Sequence, residues 1–251
     1  MARWHAIAAE LREAIRSGAY PPGTKIPKEE ELERQFGCSR TTVRRAVAQL
    51  TAEGLLQPVR KGGTTVREHP PRQRLTRARQ VYRDERGYYF DPTAQPWAAV
   101  ETPTVSLGPV PYDIARILGV EPGEEVVIRS RVMGHPDTKT PTQLATSYLP
   151  ASVARGTVLA EPDTGPGGIY DRLEEMGRGP LAWSESVVAA IPTEPEQEAL
   201  HLPPGVALLR IVRVTRASDG QVVEVNDTRM SGELWEIGYQ LERHQSAHPS
   251  S

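Results

Sequence analysis

Apolar residues recur at helical spacing from the first turns of the chain. Trp4, Ile7, Ala8, Leu11, Ala14 and Ile15 form one stripe, and Arg3, Glu10, Arg12, Glu13 and Arg16 lie off it. Gly18 can end this helix, and the Pro/Gly-rich stretch 19–27 reads as a connection. A second, short helix is predicted from Lys28. Its first turn holds Glu29, Glu30 and Glu31, where the helix dipole favours anions, and Leu32 and Phe36 give it an apolar edge. After a Gly37-Cys38 turn, Ser39 stands as N-cap of a third helix. There Val43, Ala46, Val47 and Leu50 fall at i, i+3, i+4 and i+7 and predict the buried side. Residues 55–59 (LLQPV) and 64–68 (TTVRE) read as two strands around the tip RKGG.

Past residue 100 the period shortens. Segments 126–133, 142–149, 181–190, 207–217 and 221–230 are rich in β-branched residues and read as strands, and Asp219-Gly220 marks a hairpin turn. Helical runs at 112–118, 169–176 and 194–200 lie between them. The segment LGVEPGEEVVIRSR (118–131) is echoed by LHLPPGVALLRIVR (200–213) at a constant offset of 82. Each copy is a helix end, a Pro-Gly turn and a strand. Two copies predict one antiparallel sheet of pseudo-twofold character with helices on it, and they are too few for a solenoid.

Charge divides the chain where the periodicity does. Residues 1–90 hold 18 Lys/Arg against 10 Asp/Glu, a surplus of +8, and residues 91–251 hold 12 against 22, a deficit of −10. The net charge of −2 is the sum of a basic and an acidic part. The basic part calls for a polyanionic partner. Cys38 is the only cysteine, so no intrachain disulfide forms, which suits a reducing compartment. It stands at an apolar turn position and no resolving cysteine exists, so it is expected to fill space rather than sense redox state. No apolar run approaches the ~20 residues that span a bilayer, and the chain is expected to be cytoplasmic, without a membrane partner.

The third helix collects cations on its open side. Thr41, Arg44, Arg45 and Ala48 point away from the buried stripe, and Arg40 and Thr42 flank the first turn. Arginines can fork onto guanine edges or phosphates, short hydroxyls allow close approach, and a helix N-terminus offers backbone donors to phosphate. The run from Ile7 to Val66 resembles the winged helix-turn-helix domain of GntR-family transcription regulators along its whole length. By that resemblance Ser39, Arg40, Thr41, Thr42 and Arg44 are the recognition-helix contacts to DNA, joined by Arg45 from the helical pattern. Lys61, Gly62 and Gly63 are the wing contacts. Lys28 stands where the family has a capping serine, and Glu30 where many members carry a DNA-contacting arginine.

Residues 68–90 hold six arginines and a double proline and read as a connector. Beyond it, residues 100–242 resemble the UTRA effector-binding module of the HutC subfamily. The resemblance rests on Arg129-Ser130-Arg131, the turn Ser147 to Pro150, the start Gly168 to Leu173, Ser184-Glu185-Ser186 and the closing Gly232, Glu233 and Trp235. It implies a chorismate-lyase-like fold with an effector in a cleft beside the sheet. Arg129 and Arg131, at i and i+2 of one strand, could clamp a carboxylate or phosphate. Ser147, Tyr148, Tyr170, Glu185, Glu224 and Arg229 are the other expected effector contacts. Arg131 and Arg213 are repeat-related, so one of them can instead be structural, paired with Glu185 or Glu224. Ala145 and Gly168 replace a glutamate and a serine of amino-sugar-phosphate binders. A less polar acid, or a natural product seated near Trp183 or Trp235, is therefore expected.

The expected protein is α+β: a winged helix-turn-helix domain (1–68), a linker (69–92), a UTRA effector-binding and dimerisation domain (93–245) and a disordered tail (246–251). It is expected to repress transcription as a homodimer on an inverted-repeat operator of double-stranded DNA, under control of a small acidic effector. No cofactor, metal or catalytic residue is expected. The six histidines are scattered, and no phosphate loop, HExxH, nucleophile elbow or zinc spacing is present. An effector-independent repressor and, more remotely, a lyase-like enzyme are the competing readings.

Overall fold

In the computed structural model, which describes residues 3–60, 62–77, 80–84, 87–89, 98–165 and 167–241, the chain divides into two units. The first comprises Met1–Pro71 with Leu202–Ala207, and the second Arg72–His201 with Leu208–Ser251. The segment 246–251, expected to be a disordered tail, lies outside the described residues.

In the first unit the stripe of helix α1 (Arg3–Arg16) buries Ile7, Ala8 and Leu11. They pack with Leu32 of α2 (Glu29–Phe36) and with Val43, Ala46 and Leu50 of α3 (Arg40–Ala52). Val47 and Cys38 sit half-buried at the margin of this core, so the thiol fills space. Leu50 is fully enclosed, and cutting it to alanine costs roughly 2–5 kcal/mol. The Lys28 backbone N–H donates to Glu31 Oε2 at 2.8 Å, so an acid in the first turn closes the start of α2 in place of a capping serine. Gly37 takes a left-handed φ of 55°, which ends α2 and reverses the chain into α3. Ser39 occupies the N-cap position with extended backbone, but its hydroxyl pairs with Thr42 Oγ1 at 2.9 Å instead of capping the helix. Arg12 donates twice to the Glu53 carboxylate and ties α1 to the end of α3. Strands β1 (Leu56–Val59) and β2 (Gly63–Val66) form the antiparallel hairpin of the wing.

The second unit begins with β3 (Gln73–Arg77), the hairpin β4 (Tyr82–Asp84) and β5 (Gly87–Tyr89), and the short β6 (Ala98–Ala99). Then follow β7 (Thr104–Pro109), α4 (Tyr112–Leu118), β8 (Glu125–Gly134), β9 (Pro141–Pro150), α5 (Ala151–Ala154) and α6 (Gly168–Glu175). The chain closes with β10 (Ala182–Ala190), α7 (Glu194–Ala199), β11 (Leu208–Arg216), β12 (Val222–Ser231) and β13 (Trp235–Tyr239). The main sheet runs β10-β11-β12-β9-β8, with β6 and β7 both on β8, and every pairing in it is antiparallel.

The repeat is built into this order. Helices α4 and α7 begin 82 positions apart, and the pairing of Val105 with Arg129 recurs 82 positions later as Val187 with Ile211. Strands β9 and β12 are offset by 81, because the loop 217–221 is one residue shorter than 135–140. The two halves meet where β9 pairs with β12.

Each strand alternates between two faces. One face packs on α4 through Val126, Tyr148, Val212 and Val225. The other packs on α6 and the turn 158–160 through Val127, Leu149 and Val223. Further along that second face, Ile211 and Met230 meet Leu75 of β3 and Trp235 at the start of β13, two strands that pair in parallel. From Arg72 onward, the segment read as a connector is therefore part of the second unit. The Arg74, Arg77 and Arg83 side chains pair with Glu236, Glu185 and Asp171.

Candidate nucleic-acid interface and effector face

Arg40 and Arg44 are exposed on the same end of α3 and converge on one carboxylate of α2. Arg40 Nε donates to Glu29 Oε2 at 2.7 Å, and Arg44 Nε lies 3.4 Å from Glu29 Oε1. The hydrogen bond to Glu29, with its charge, holds the Arg40 guanidinium above its ordinary value. The carboxylate takes the two Nε groups. Among the described residues, the terminal amino groups of both forks are left without hydrogen bonds. Gly62, Gly63 and Lys25 line the same open concavity as the two arginines. Gly63 has φ +88°, and a Cβ on Gly62 would lie 2.7 Å from Val59 Cγ1, so the wing tip requires both glycines. Lys61 lies outside the described residues. Thr41 is exposed and Thr42 half-buried on the first turn of α3.

Arg45 does not join this group. Its guanidinium lies over the Trp4 ring, 4.6 Å from the centroid, in a cation–π contact with α1. Glu30 lines the concavity, but the acid that touches the arginines is its neighbour Glu29. Glu29 and Arg40 are eleven residues apart and on different helices, so helical periodicity carries no signal of their contact.

In the second unit a polar row crosses five strands on the face toward α6. Glu185 pairs with Arg213, Arg213 with Asn226, Asn226 with Ser147, and Ser147 with Arg129. Arg131 follows Arg129 on the same face. Its Nη2 donates to Ser147 Oγ at 2.6 Å, and Asn226 Nδ2 donates to the same oxygen at 3.0 Å. Thr228 Oγ1 donates to Asn226 Oδ1 at 2.8 Å. Arg213 donates from Nε and Nη2 to Glu185 Oε1, and Arg77 Nε lies 3.5 Å from Glu185 Oε2. Glu224 is 1% exposed, and its Oε2 accepts from Thr215 Oγ1 at 2.8 Å. Tyr170 roofs this side from α6, with its ring edge-on to Trp183 at 5.6 Å. Burial, reinforced by the Glu224 charge, pushes the Tyr170 phenol up to about 12.

Three expected effector contacts need correction. Arg129 is buried at 3% exposure, and its fork is consumed by the backbone. Nη1 donates to Leu159 O at 2.8 Å and to Glu161 O, and Nη2 donates to Pro162 O at 3.0 Å. It holds the loop 159–162 in place, and burial, with the nearby Arg131 charge, lowers its basicity. Tyr148 and Arg229 lie on the opposite face of the sheet. Tyr148 packs on α4 in the apolar core, and Arg229 pairs with Asp227 at 2.6 Å and Glu196 at 3.0 Å. On that face Arg210 bridges Asp227 and Asp113, so the network is a closed structural lock. Trp235, at 3% exposure, belongs to the core, and Trp183 to an aromatic cluster with Tyr88 and Tyr170. The face that remains is Arg131, Ser147, Tyr170, Glu185 and Glu224, with Arg213, Asn226 and Thr228 added by the structure. On it, the buried Nε atoms of Arg129 and Arg131 have no hydrogen-bond partner among the described residues.

Comparison with known proteins gives two family matches. Residues 4–66 match the model of bacterial regulatory proteins of the gntR family, and residues 99–235 match that of the UTRA domain. An uncharacterized HTH-type transcriptional regulator of Streptomyces coelicolor is 32% identical over 88% of this chain and 86% of its own length. A histidine utilization repressor of Pseudomonas aeruginosa is 30% identical over 80% of this chain and 76% of its own. A crystal structure of a GntR-family transcriptional regulator superposes with a TM-score of 0.68 at 26% identity, covering 96% of this chain and 98% of that one.

Proposed function

The chain belongs to the GntR family of bacterial transcription regulators, in the branch that carries a UTRA domain, and from that membership we propose how its residues divide the work. The protein is a DNA-binding transcriptional repressor, and its UTRA domain is the effector-binding part. Arg40 and Arg44 reach into the major groove from the N-terminal end of α3, with Ser39, Thr41 and Thr42 approaching the backbone. Lys61, Gly62 and Gly63 bring the wing against the adjacent phosphates. The observation that carries this assignment is the shared Glu29 carboxylate, which engages both Nε groups and leaves both terminal forks available.

Two copies present two such helices to an inverted repeat in the cytoplasm, and phosphate contacts supply affinity and its salt dependence. A small acid docks on the polar row beneath Tyr170. Arg131 is its principal cation there, since the terminal nitrogens of Arg129 are committed to loop carbonyls. Binding shifts the equilibrium between DNA-competent and incompetent forms.

Footprinting on DNA flanking the protein's own gene, with and without candidate organic acids, tests the reading. A protected inverted repeat should appear with the wild type and vanish with Arg40→Ala, while weak, salt-sensitive binding to any duplex persists. Unchanged protection by Arg40→Ala would sink the assignment. Arg131→Ala should keep the footprint and lose its response to the acid.

A further inference from the structure

Helix α2 opens on three glutamates, and the fold engages two of them. Glu29 takes the Nε groups of Arg40 and Arg44, and Glu31 accepts from the Lys28 backbone N–H at 2.8 Å. Glu30, between them, is exposed and lines the concavity with Arg40, Arg44, Gly62 and Gly63. Its backbone carbonyl accepts from Arg34 Nε at 3.3 Å, but among the described residues its carboxylate enters no hydrogen bond or ion pair. It is near enough to be felt there. The hydrogen bond and charge of Glu29 come first in holding Arg40 above its ordinary value, and the Glu30 charge adds to them.

A bare carboxylate is an odd member of a surface that receives a polyanion, because it repels phosphate on every sequence. The helix dipole favours acids in this first turn, but Glu29 and Glu31 already serve it. What the Glu30 carboxylate lacks is a donor. In the major groove the base edges supply two, the N6 amino group of adenine and the N4 amino group of cytosine. Adenine sets its donor beside the N7 acceptor, an edge that suits an amide and repels one oxygen of a carboxylate. Cytosine presents the donor alone, and guanine and thymine turn acceptor oxygens toward the groove.

We infer that Glu30 is a specificity-determining residue, whose carboxylate accepts from the N4 amino group of a cytosine in each half-site, in the stretch of major groove that Arg40 and Arg44 enter. This rests on the DNA-binding reading above and adds one base to it. The arginines select guanine by donating, and the acid selects cytosine by accepting, so the concavity reads both signs of the groove's pattern. Selection works as much by rejection as by attraction, since guanine or thymine at that position would set oxygen against oxygen. The same charge lowers attraction to phosphate everywhere, so Glu30 gives up general affinity and gains discrimination.

Selection of a randomised duplex library by the full-length protein, followed by titration of single-base variants of the selected site, tests the inference. The wild type should prefer one cytosine per half-site by about tenfold over the other bases, close to the guanine whose preference is lost in Arg40→Ala. Glu30→Ala should keep the wild-type thermal midpoint, lose the cytosine preference alone and bind random duplex more tightly. Glu30→Arg should exchange cytosine for guanine at that same position, a change that neither a structural nor a purely repulsive carboxylate would produce. Preferences unchanged at every position in Glu30→Ala, with equal gains on all duplexes, overturn Glu30 as a reader and leave the Arg40 assignment standing. A preference for adenine lost in place of cytosine overturns the base assigned. A wild type that selects no sequence overturns the DNA-binding reading and this inference with it.

Discussion

Arg40 donates from Nε to Glu29 across the turn between α2 and α3, and the 2.7 Å contact fixes the guanidinium plane while leaving its far edge open. Both arginines that share this carboxylate are largely solvent-exposed, so the pair adds little to folding stability. Its value is geometric. A long side chain held at Nε gives up its rotamer freedom before DNA arrives, and a fork presented in one plane reads a guanine edge better than one that must be ordered on contact.

Glu29→Gln should therefore lower discrimination between the operator and single-base variants at the Arg40 position by about tenfold. Affinity for random duplex, its salt slope and the thermal midpoint should stay near wild type. Competition titrations against a panel of operator variants measure this. Equal gains on operator and random DNA would instead make Glu29 a plain electrostatic brake.

The two strand arginines should separate cleanly. Arg129→Ala strands the carbonyls of Leu159, Glu161 and Pro162 in a buried loop and should cost about 3 kcal/mol in urea unfolding. Arg131→Ala should cost less and abolish the effector response. Equal destabilisation by both would show that the Arg131–Ser147–Asn226 contacts are part of the scaffold.

Acid should weaken the lock on the opposite face. Burial pushes the Asp113 carboxyl up, but the hydrogen bond and charge of Arg210 outweigh it and hold the group below its usual value. The ionised form is the one the fold favours. That contribution is complete above about pH 4 and drains away as pH falls through the lowered folded value. Arg210→Gln should be less stable at neutral pH and show a flatter loss on acidification, since the hydrogen bond and charge that hold Asp113 below its unfolded value are then gone. Parallel acid limbs in urea titrations of the two proteins would contradict this.

Alkali tests the other face. The Tyr170 phenol is held at about 12 by burial, against about 10 in an unfolded chain. Here the neutral form is favoured by the fold, so stability is retained below pH 10 and lost as pH climbs from 10 toward 12. Tyr170→Phe should flatten that alkaline limb in unfolding experiments between pH 9 and 12, and an unchanged limb would mean that the ring is solvated.

Local periodicity makes most of this fold legible before any coordinates. The runs at 112–118, 169–176 and 194–200 are α4, α6 and α7 to within a residue or so, and the repeat foretells the order of the sheet around β9 and β12. The site is less legible, because membership of a face is set by alternation and register. Ser147 and Tyr148 are neighbours on one strand and cannot both face one cleft, a constraint present in the sequence itself. Arg213 and Asn226 join the row only through cross-strand register, and Glu29 reaches Arg40 only after α2 and α3 pack. The loop that captures the Arg129 fork is held by backbone carbonyls, which carry no residue signature.

The constant spacing of the two halves has a historical reading. A sheet made of two like hairpin units joined along β9 and β12 has the form of an ancestral pair of short chains, later fused into one. In the present chain that pseudo-axis lies inside the sheet, where β9 pairs with β12. The two outer strands made to this one plan have since diverged: β7 is short and ends in Gly108-Pro109, whereas β10 pairs with β11 along all nine of its residues.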